Sequence, residues 1–228
     1  MTNDTSDDAT ALAQQHWNAT PLFFSEEERY GIYPWLYDVA EFRNHANERV
    51  LEIGCGTGCD LLQFMKNGAR ATGVDVTDRH LELARARIGP FADVQKADAR
   101  SLPFRDATFD YVYSHGVVHH IAEPDRVVRE ILRVLKPGGR FNVHVYARYS
   151  GFVVYMFLRY GFGWKRWIEN SRDPVHIELY TARKLRRLFS PIPIGVTKHF
   201  MPKFPELVGR YVGWYLVAKG TKPSLPLK

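Results

Sequence analysis

VLEIGCGTGCD, Val50 to Asp60, is an apolar run closed by the acid Glu52 near its end and followed by glycines at alternating positions, Gly54, Gly56 and Gly58. A short apolar run of this kind reads as a buried strand of a parallel sheet. Gly54 and Gly56 let the backbone turn sharply and approach a ligand, and Gly58 opens the following helix. The stretch predicts the strand-to-helix turn of a doubly wound fold, in which ligands bind beyond the carboxyl ends of the strands.

Working outward, a regular alternation follows. Strand Val50–Ile53 leads to a helix near Gly58–Asn67, strand Ala71–Asp75, a helix over Asp78–Ile88 and a short strand Asp93–Lys96. Phe109–Ser114 then reads as a strand, Asp125–Leu135 as a helix and Arg140–Tyr146 as a strand. Apolar strands alternating with helices imply a parallel sheet covered on both faces. Upstream, residues 1–20 read as a frayed start. Ser25–Glu28 offers a capping box, and helical turns run from Ile32 to Phe42 with Pro34 at a boundary. The alternation breaks at Arg148. Residues 151–180 are aromatic and basic and read as inserted helix, Thr181–Phe189 as a further helix, and Val196–Met201 and Tyr211–Lys219 as two last strands forming an antiparallel edge. The expected organisation is an N-terminal helical cap (1–47), a core (48–147), a helical lid (148–190) and C-terminal strands completing the sheet (191–228).

The chain has 228 residues, 45% of them hydrophobic and 14% aromatic, enough for one domain with an appendage. No leader and no membrane-spanning run is legible, and the two cysteines, Cys55 and Cys59, read as reduced thiols of a cytoplasmic protein rather than as metal ligands. Charge is unevenly spread. Residues 1–147 carry 16 Lys and Arg against 21 Asp and Glu, whereas residues 148–228 carry 15 against 4. A basic terminal third is compatible with an anionic substrate, an acidic membrane surface or nucleic acid.

Three acids surround the glycine turn. Glu52 can accept from an ammonium or hydroxyls. Asp75 ends the second strand roughly 20 residues after the glycines, where an acid grips a ribose diol. Asp98 follows the third strand and can accept from an adenine amino group. Three carboxylates repel a diphosphate but suit a cationic nucleoside, and the dinucleotide pattern would want glycine where Cys59 stands. S-adenosylmethionine fits: ribose, adenine and sulfonium, with no phosphate.

VLEIGCGTG, GVDVT, KADARSLPF, FDYVYSHGVVHHI and RVLKPGG, in that order and spacing, resemble the class I S-adenosylmethionine-dependent methyltransferases, in the small-molecule branch related to the ubiquinone and menaquinone biosynthesis enzymes. The resemblance covers roughly residues 49–147. It implies a Rossmann-like seven-stranded sheet whose last strand is antiparallel. It also implies that Glu52, Gly54, Gly56 and Gly58 line the methionine side of the cofactor, that Asp75 and Val76 hold the ribose, that Asp98 and Ala99 hold the adenine, and that Ser114 edges the transfer cleft. Tyr30 and Tyr33 would close over the cofactor, as N-terminal helices do in similar enzymes.

His115, His119 and His120 follow the fourth strand at the cleft mouth, and His119 is the preferred candidate for a substrate-side base. Phe152–Trp167, FVVYMFLRYGFGWKRW, reads as a lid helix, with an apolar substrate pocket or a membrane-resting patch as sharper options. The leading expectation is methyl transfer to a small molecule with apolar surface, which could be anionic, by in-line displacement. A non-methylating enzyme holding S-adenosylmethionine as a bound cation is the second reading, since fold and cofactor site do not fix the reaction. A nucleic-acid methyltransferase is the third, disfavoured because SHGVVHH stands where an Asn/Asp-Pro-Pro-aromatic motif would be.

Overall fold

The computed structural model describes residues 5–90, 93–164, 175–200 and 212–224. Seven strands form one sheet in the order β3-β2-β1-β4-β5-β7-β6. In chain order these are β1 Arg49–Ile53, β2 Arg70–Asp75, β3 Asp93–Lys96, β4 Phe109–His115, β5 Leu135–Tyr146, β6 Ile194–His199 and β7 Tyr215–Thr221. The first five run parallel, and β7 pairs antiparallel with both β5 and β6. The doubly wound sheet with its antiparallel last strand is the architecture that the alternation and the late break imply. The strand order reverses between β1 and β4, so the crevice of such a sheet opens beside the end of β1.

The helices cover both faces. Among the described residues they are α1 Thr5–Ala19, α2 Glu26–Ile32, α3 Leu36–Val39, α4 Cys59–Lys66, α5 Asp78–Ile88, α6 Pro124–Val134, α7 Gly151–Tyr160 and α8 Ala182–Leu188. Their sequences explain their seats. In α6, Pro124 opens the helix, and Val127, Val128, Ile131 and Val134 fall on one stripe and are all buried, the spacing a core-facing helix requires. That stripe joins Val112, Phe141, Val143, Leu185 and Phe189 in one core. On the opposite face Leu61, Phe64, Leu81 and Ala84 of α4 and α5 pack with Val50, Tyr111 and Tyr113. Ser25 caps α2 through the expected box, its hydroxyl accepting from the Glu28 amide while the Glu28 carboxylate accepts from Ser25 N–H.

Some boundaries differ from the sequence reading. Residues 5–19 form a helix rather than a frayed start, and α1 reaches α5, where the Arg79 amide donates to Asn18 Oδ1 at 3.2 Å. Strand β5 begins at Leu135 rather than at Arg140. Its pairing with β4 jumps from Phe109–Leu135 to Tyr111–Arg140, so the Lys-Pro-Gly-Gly run is a bulge within the strand. The inserted helical segment is α7 followed by a single 3-10 turn at Gly161–Gly163. Its remainder to residue 174, and the strand ends expected at Met201 and Tyr211, lie outside the described residues.

Candidate functional site

The ends of β1, β2 and β4 enclose a cavity of about 370 Å3. Glu52, Gly54, Gly56, Asp75, Val76, Asp98 and Ala99 are on its wall, with Tyr33 reaching it from the end of α2.

Local geometry explains the glycine turn. Gly54 has φ of +69°, and a Cβ there would sit 2.2 Å from Val117. Gly56 has φ of +51° with open space where its Cβ would be, so its backbone leaves room for a ligand. The turn is tied to β2: Asp75 accepts from Gly56 N–H at 3.0 Å and from Thr77 N–H at 2.9 Å. Glu52 is 3% exposed, and its Oε2 has no partner. Burial, reinforced by the charges of Asp60 and Asp75, raises its carboxyl well above the usual carboxylate range. A buried acceptor oxygen without a donor is costly, and it suits a cationic or hydroxyl-bearing ligand.

Asp98 is more committed than the sequence suggests. Burial would raise its pKa, but its carboxylate bonds to the Arg100 guanidinium and amide at 2.8–3.2 Å hold it below the ordinary value. Arg100 also binds Glu123 at 2.9 Å.

Four expected residues lie away from the cavity wall. Gly58 leaves room for Ala84 and Ile88 of α5, so it serves helix packing. Ser114 is fully buried and donates to Ile53 O at 3.1 Å, tying β4 to β1. Tyr30 donates to Asp60 at 3.0 Å and packs edge-on against Tyr37 and Phe42. His119, the preferred base, is 0% exposed and lies against Tyr146 with ring centroids 3.7 Å apart. The 3-10 turn Val118–His120 swings His119 into the protein and leaves His120 on the wall. Burial, then the neighbouring His120, His115 and His176, push its pKa well below the ordinary histidine value.

Several wall residues carry little sequence signal. Ala13 and Trp17 of α1 cover one side of the cavity. Arg29 also lines it while gripping the buried Asp60 with two bonds of 2.5 Å, and Tyr113 adds a bond to Asp60 at 2.9 Å. An aromatic group of Tyr33, Tyr146, Phe152, Trp214 and Tyr215 also lines the cavity. Of the insert, Phe152 reaches the cavity. Trp164 lines a separate groove with Arg148 and Glu178, and Tyr155 is exposed. Among the described residues no cluster of His, Cys, Asp and Glu could hold a metal ion.

Residues 51–143 match the family model described as a methyltransferase domain. The chain is 34% identical over 140 residues to a demethylmenaquinone methyltransferase of Symbiobacterium thermophilum, covering 57% of this chain and 54% of that one. It is 37% identical over 103 residues to a sterol 4-C-methyltransferase of Caenorhabditis elegans, covering 43% of this chain and 31% of the relative. The chain thus spans between about a third and somewhat over half of the length of these curated relatives. Its fold is similar, at a TM-score of 0.69 and 20% identity, to a chain described as a putative methyltransferase, solved in complex with the Haloferax volcanii Trm112 methyltransferase activator, over 99% of this chain and 100% of that one.

Proposed function

We propose that this chain, whose residues 51–143 match a methyltransferase domain, is a class I S-adenosylmethionine-dependent methyltransferase that methylates a small-molecule acceptor. One observation carries the reading: the partnerless Glu52 Oε2 on the wall of a cavity that also holds Asp75, beside the open backbone of Gly56. Among the described residues the one Lys or Arg on that wall, Arg29, is already committed to Asp60. A cavity so balanced favours a cation over a diphosphate.

When bound, the cofactor supplies an electrophilic methyl carbon on a positively charged sulfur. Glu52 and the Gly54–Gly56 backbone would hold its methionine end, Asp75 and Val76 the ribose, Asp98 and Ala99 the adenine, and Tyr33 would cover it. Asp98 would do so through whatever acceptor capacity Arg100 leaves. Trp17 and α1 complete the cover and exclude water, as displacement at a sulfonium requires. The aromatic group from Tyr33 to Tyr215 supports an acceptor with apolar surface. The free, buried thiols of Cys55 and Cys59 support a reducing, cytoplasmic setting.

Peripheral membrane contact has a specific basis. Leu158 is 78% and Phe162 96% exposed, and Val154 and Tyr155 stand beside them, in the strongly basic part of the chain. A face of this kind suits an anionic lipid surface, from which an apolar acceptor could be drawn. No helix among the described residues is long and apolar enough to cross a membrane.

Calorimetry tests the core of the reading: S-adenosylmethionine should bind to the wild type and bind weakly to Glu52→Ala, and NAD should not compete. Preference for NAD would overturn it. Loss of sedimentation with anionic vesicles on Leu158→Glu would support the membrane face, and unchanged sedimentation would remove it.

A further inference from the structure

We propose that His115 is the catalytic proton acceptor of this site, offering a bare Nε2 to the hydroxyl of a planar, apolar acceptor, and that His144 and Asn142 hold its proton on Nδ1. The inference rests on the methyltransferase reading and deepens it by naming the base and the class of acceptor.

The chain of contacts follows from strand register. His115 at the end of β4 stands directly across from His144 of β5, and Asn142, two residues back on β5, shares the face of His144. Asn142 Nδ2 donates to the Val39 carbonyl at 2.7 Å, which orients the amide, because the reverse placement would set two carbonyl oxygens against each other. Asn142 Oδ1 is therefore an acceptor, and His144 Nε2, 2.8 Å away, must carry the hydrogen. A neutral His144 then has a lone pair at Nδ1, and His115 Nδ1, at 2.8 Å, must donate to it. That leaves His115 Nε2, on the far side of the ring, as a lone pair, a buried atom with no partner. His115 lines the cavity.

The groups facing this pair keep both rings neutral. Burial and then the positive charge of Arg29 push His115 well below the ordinary histidine value. Burial, then His115, His199 and Lys219, do the same to His144 against a smaller opposing pull from Asp60. Tyr215 stacks on the His115 ring at 4.7 Å, and Tyr33 meets it edge-on at 5.5 Å. Trp35 lies beside both histidines. These aromatic walls suit a planar acceptor. An amine would enter as a second cation at neutral pH, whereas a hydroxyl enters neutral.

The reaction balances. The acceptor oxygen bonds to the methyl carbon as the carbon–sulfur bond breaks, its electron pair staying on sulfur, and the hydroxyl proton passes to His115 Nε2. One positive charge disappears at sulfur while one appears on the imidazole, so the buried cavity holds the same charge before and after. The proton then leaves to water with the product. His144 and Asn142 are positioning residues, acting through the tautomer they impose.

The test uses the full chain with 15N-labelled histidine and long-range proton–nitrogen spectra between pH 6 and 8. His115 should show a protonated Nδ1 and an acceptor-type Nε2, His144 the reverse, and neither should titrate. Asn142→Leu should release His144 and bring up the second tautomer of His115. Phenol titrated into protein loaded with S-adenosylhomocysteine should move the Nε2 resonance of His115 and leave His119 in place. A proton on His115 Nε2 in the wild type, which needs no variant to fold, would overturn the proposal. So would an unchanged pattern in a folded Asn142→Leu, or phenol moving His119 instead, or moving neither. Failure to bind S-adenosylmethionine would sink the methyltransferase reading while leaving the tautomer pattern as stated, so the two failures are distinguishable.

Discussion

Arg29 of α2 holds both carboxylate oxygens of Asp60, in the first turn of α4, at 2.5 Å, and the Asp60 side chain is completely buried. The pair fastens the N-terminal helices to the segment that follows the glycine turn, so cap and site are one structural unit.

Arg29→Met would leave the Asp60 carboxylate buried with only the hydroxyls of Tyr30 and Tyr113. Breaking a buried pair in this way costs about 3–5 kcal/mol. The urea midpoint should fall accordingly, and S-adenosylmethionine affinity should fall with it because α2 no longer holds Tyr33 over the cavity. An unchanged midpoint would show that the pair does not anchor the cap.

The same carboxylate gives the stability a sign in pH. Burial would raise the Asp60 pKa, but Arg29 and the two tyrosine hydroxyls bring it below the ordinary aspartate value. A folded-state pKa below the unfolded one contributes stability above the unfolded pKa, lost as pH falls through the folded value. Glu52 runs the other way: its raised pKa favours the unliganded fold at low pH and costs stability as pH rises through it. Denaturation of the unliganded protein followed from pH 7 downward should therefore show a late acid loss in the wild type. Glu52→Gln should be more stable than wild type near neutral pH. A Glu52→Gln variant less stable than wild type there would contradict this account.

Asp75 anchors the glycine turn and is proposed to hold the ribose, and its variants should separate the two. Asp75→Ala removes the acceptor for both Gly56 and Thr77 amides as well as the charge available to a ribose diol. Charge-assisted bonds are worth about 1.5–3 kcal/mol, so cofactor affinity should drop on the order of 10- to 100-fold by calorimetry. Asp75→Asn, which keeps an acceptor oxygen for the turn, should retain more stability than Asp75→Ala while still losing affinity. Wild-type affinity in a folded Asp75→Ala would remove Asp75 from the site.

Among the described residues of the insert, Phe152 reaches the cavity, packed against Trp214 at 4.6 Å. Phe152→Ala should raise the acceptor KM or lower kcat while leaving cofactor affinity near wild type. Tyr155→Ala, at an exposed position, should change neither. The opposite ranking would move the acceptor pocket to the outer face of α7.

The sheet was legible because its signals are local. Residues 50–53 and 71–75 are apolar runs, glycines follow the first, and α5 and β3 occupy the ranges expected for them. Strand alternation also put Glu52, Asp75 and Asp98 at strand ends, which a parallel sheet gathers at one crevice. What was not legible was side-chain direction. A three-residue 3-10 turn decides that His120 faces the cavity and His119 the interior, and no periodicity distinguishes neighbours in such a turn. Ser114 and His115 likewise differ only by the side of the strand they occupy. Arg29 was invisible because its partner is 31 residues away. Residues 5–19 carry acids and little apolar pattern, so the helix that places Trp17 over the cavity had no strong sequence signal.

The central claim is methyl transfer to a small molecule, and one incubation tests it most directly. The protein is mixed with methyl-labelled S-adenosylmethionine and a metabolite extract, and the products are read by mass spectrometry. The account predicts that a small molecule gains the labelled methyl group, with one S-adenosylhomocysteine released for each group transferred. Labelled cofactor recovered intact while an extract component changes, or label found on nucleic acid instead of a small molecule, would contradict it.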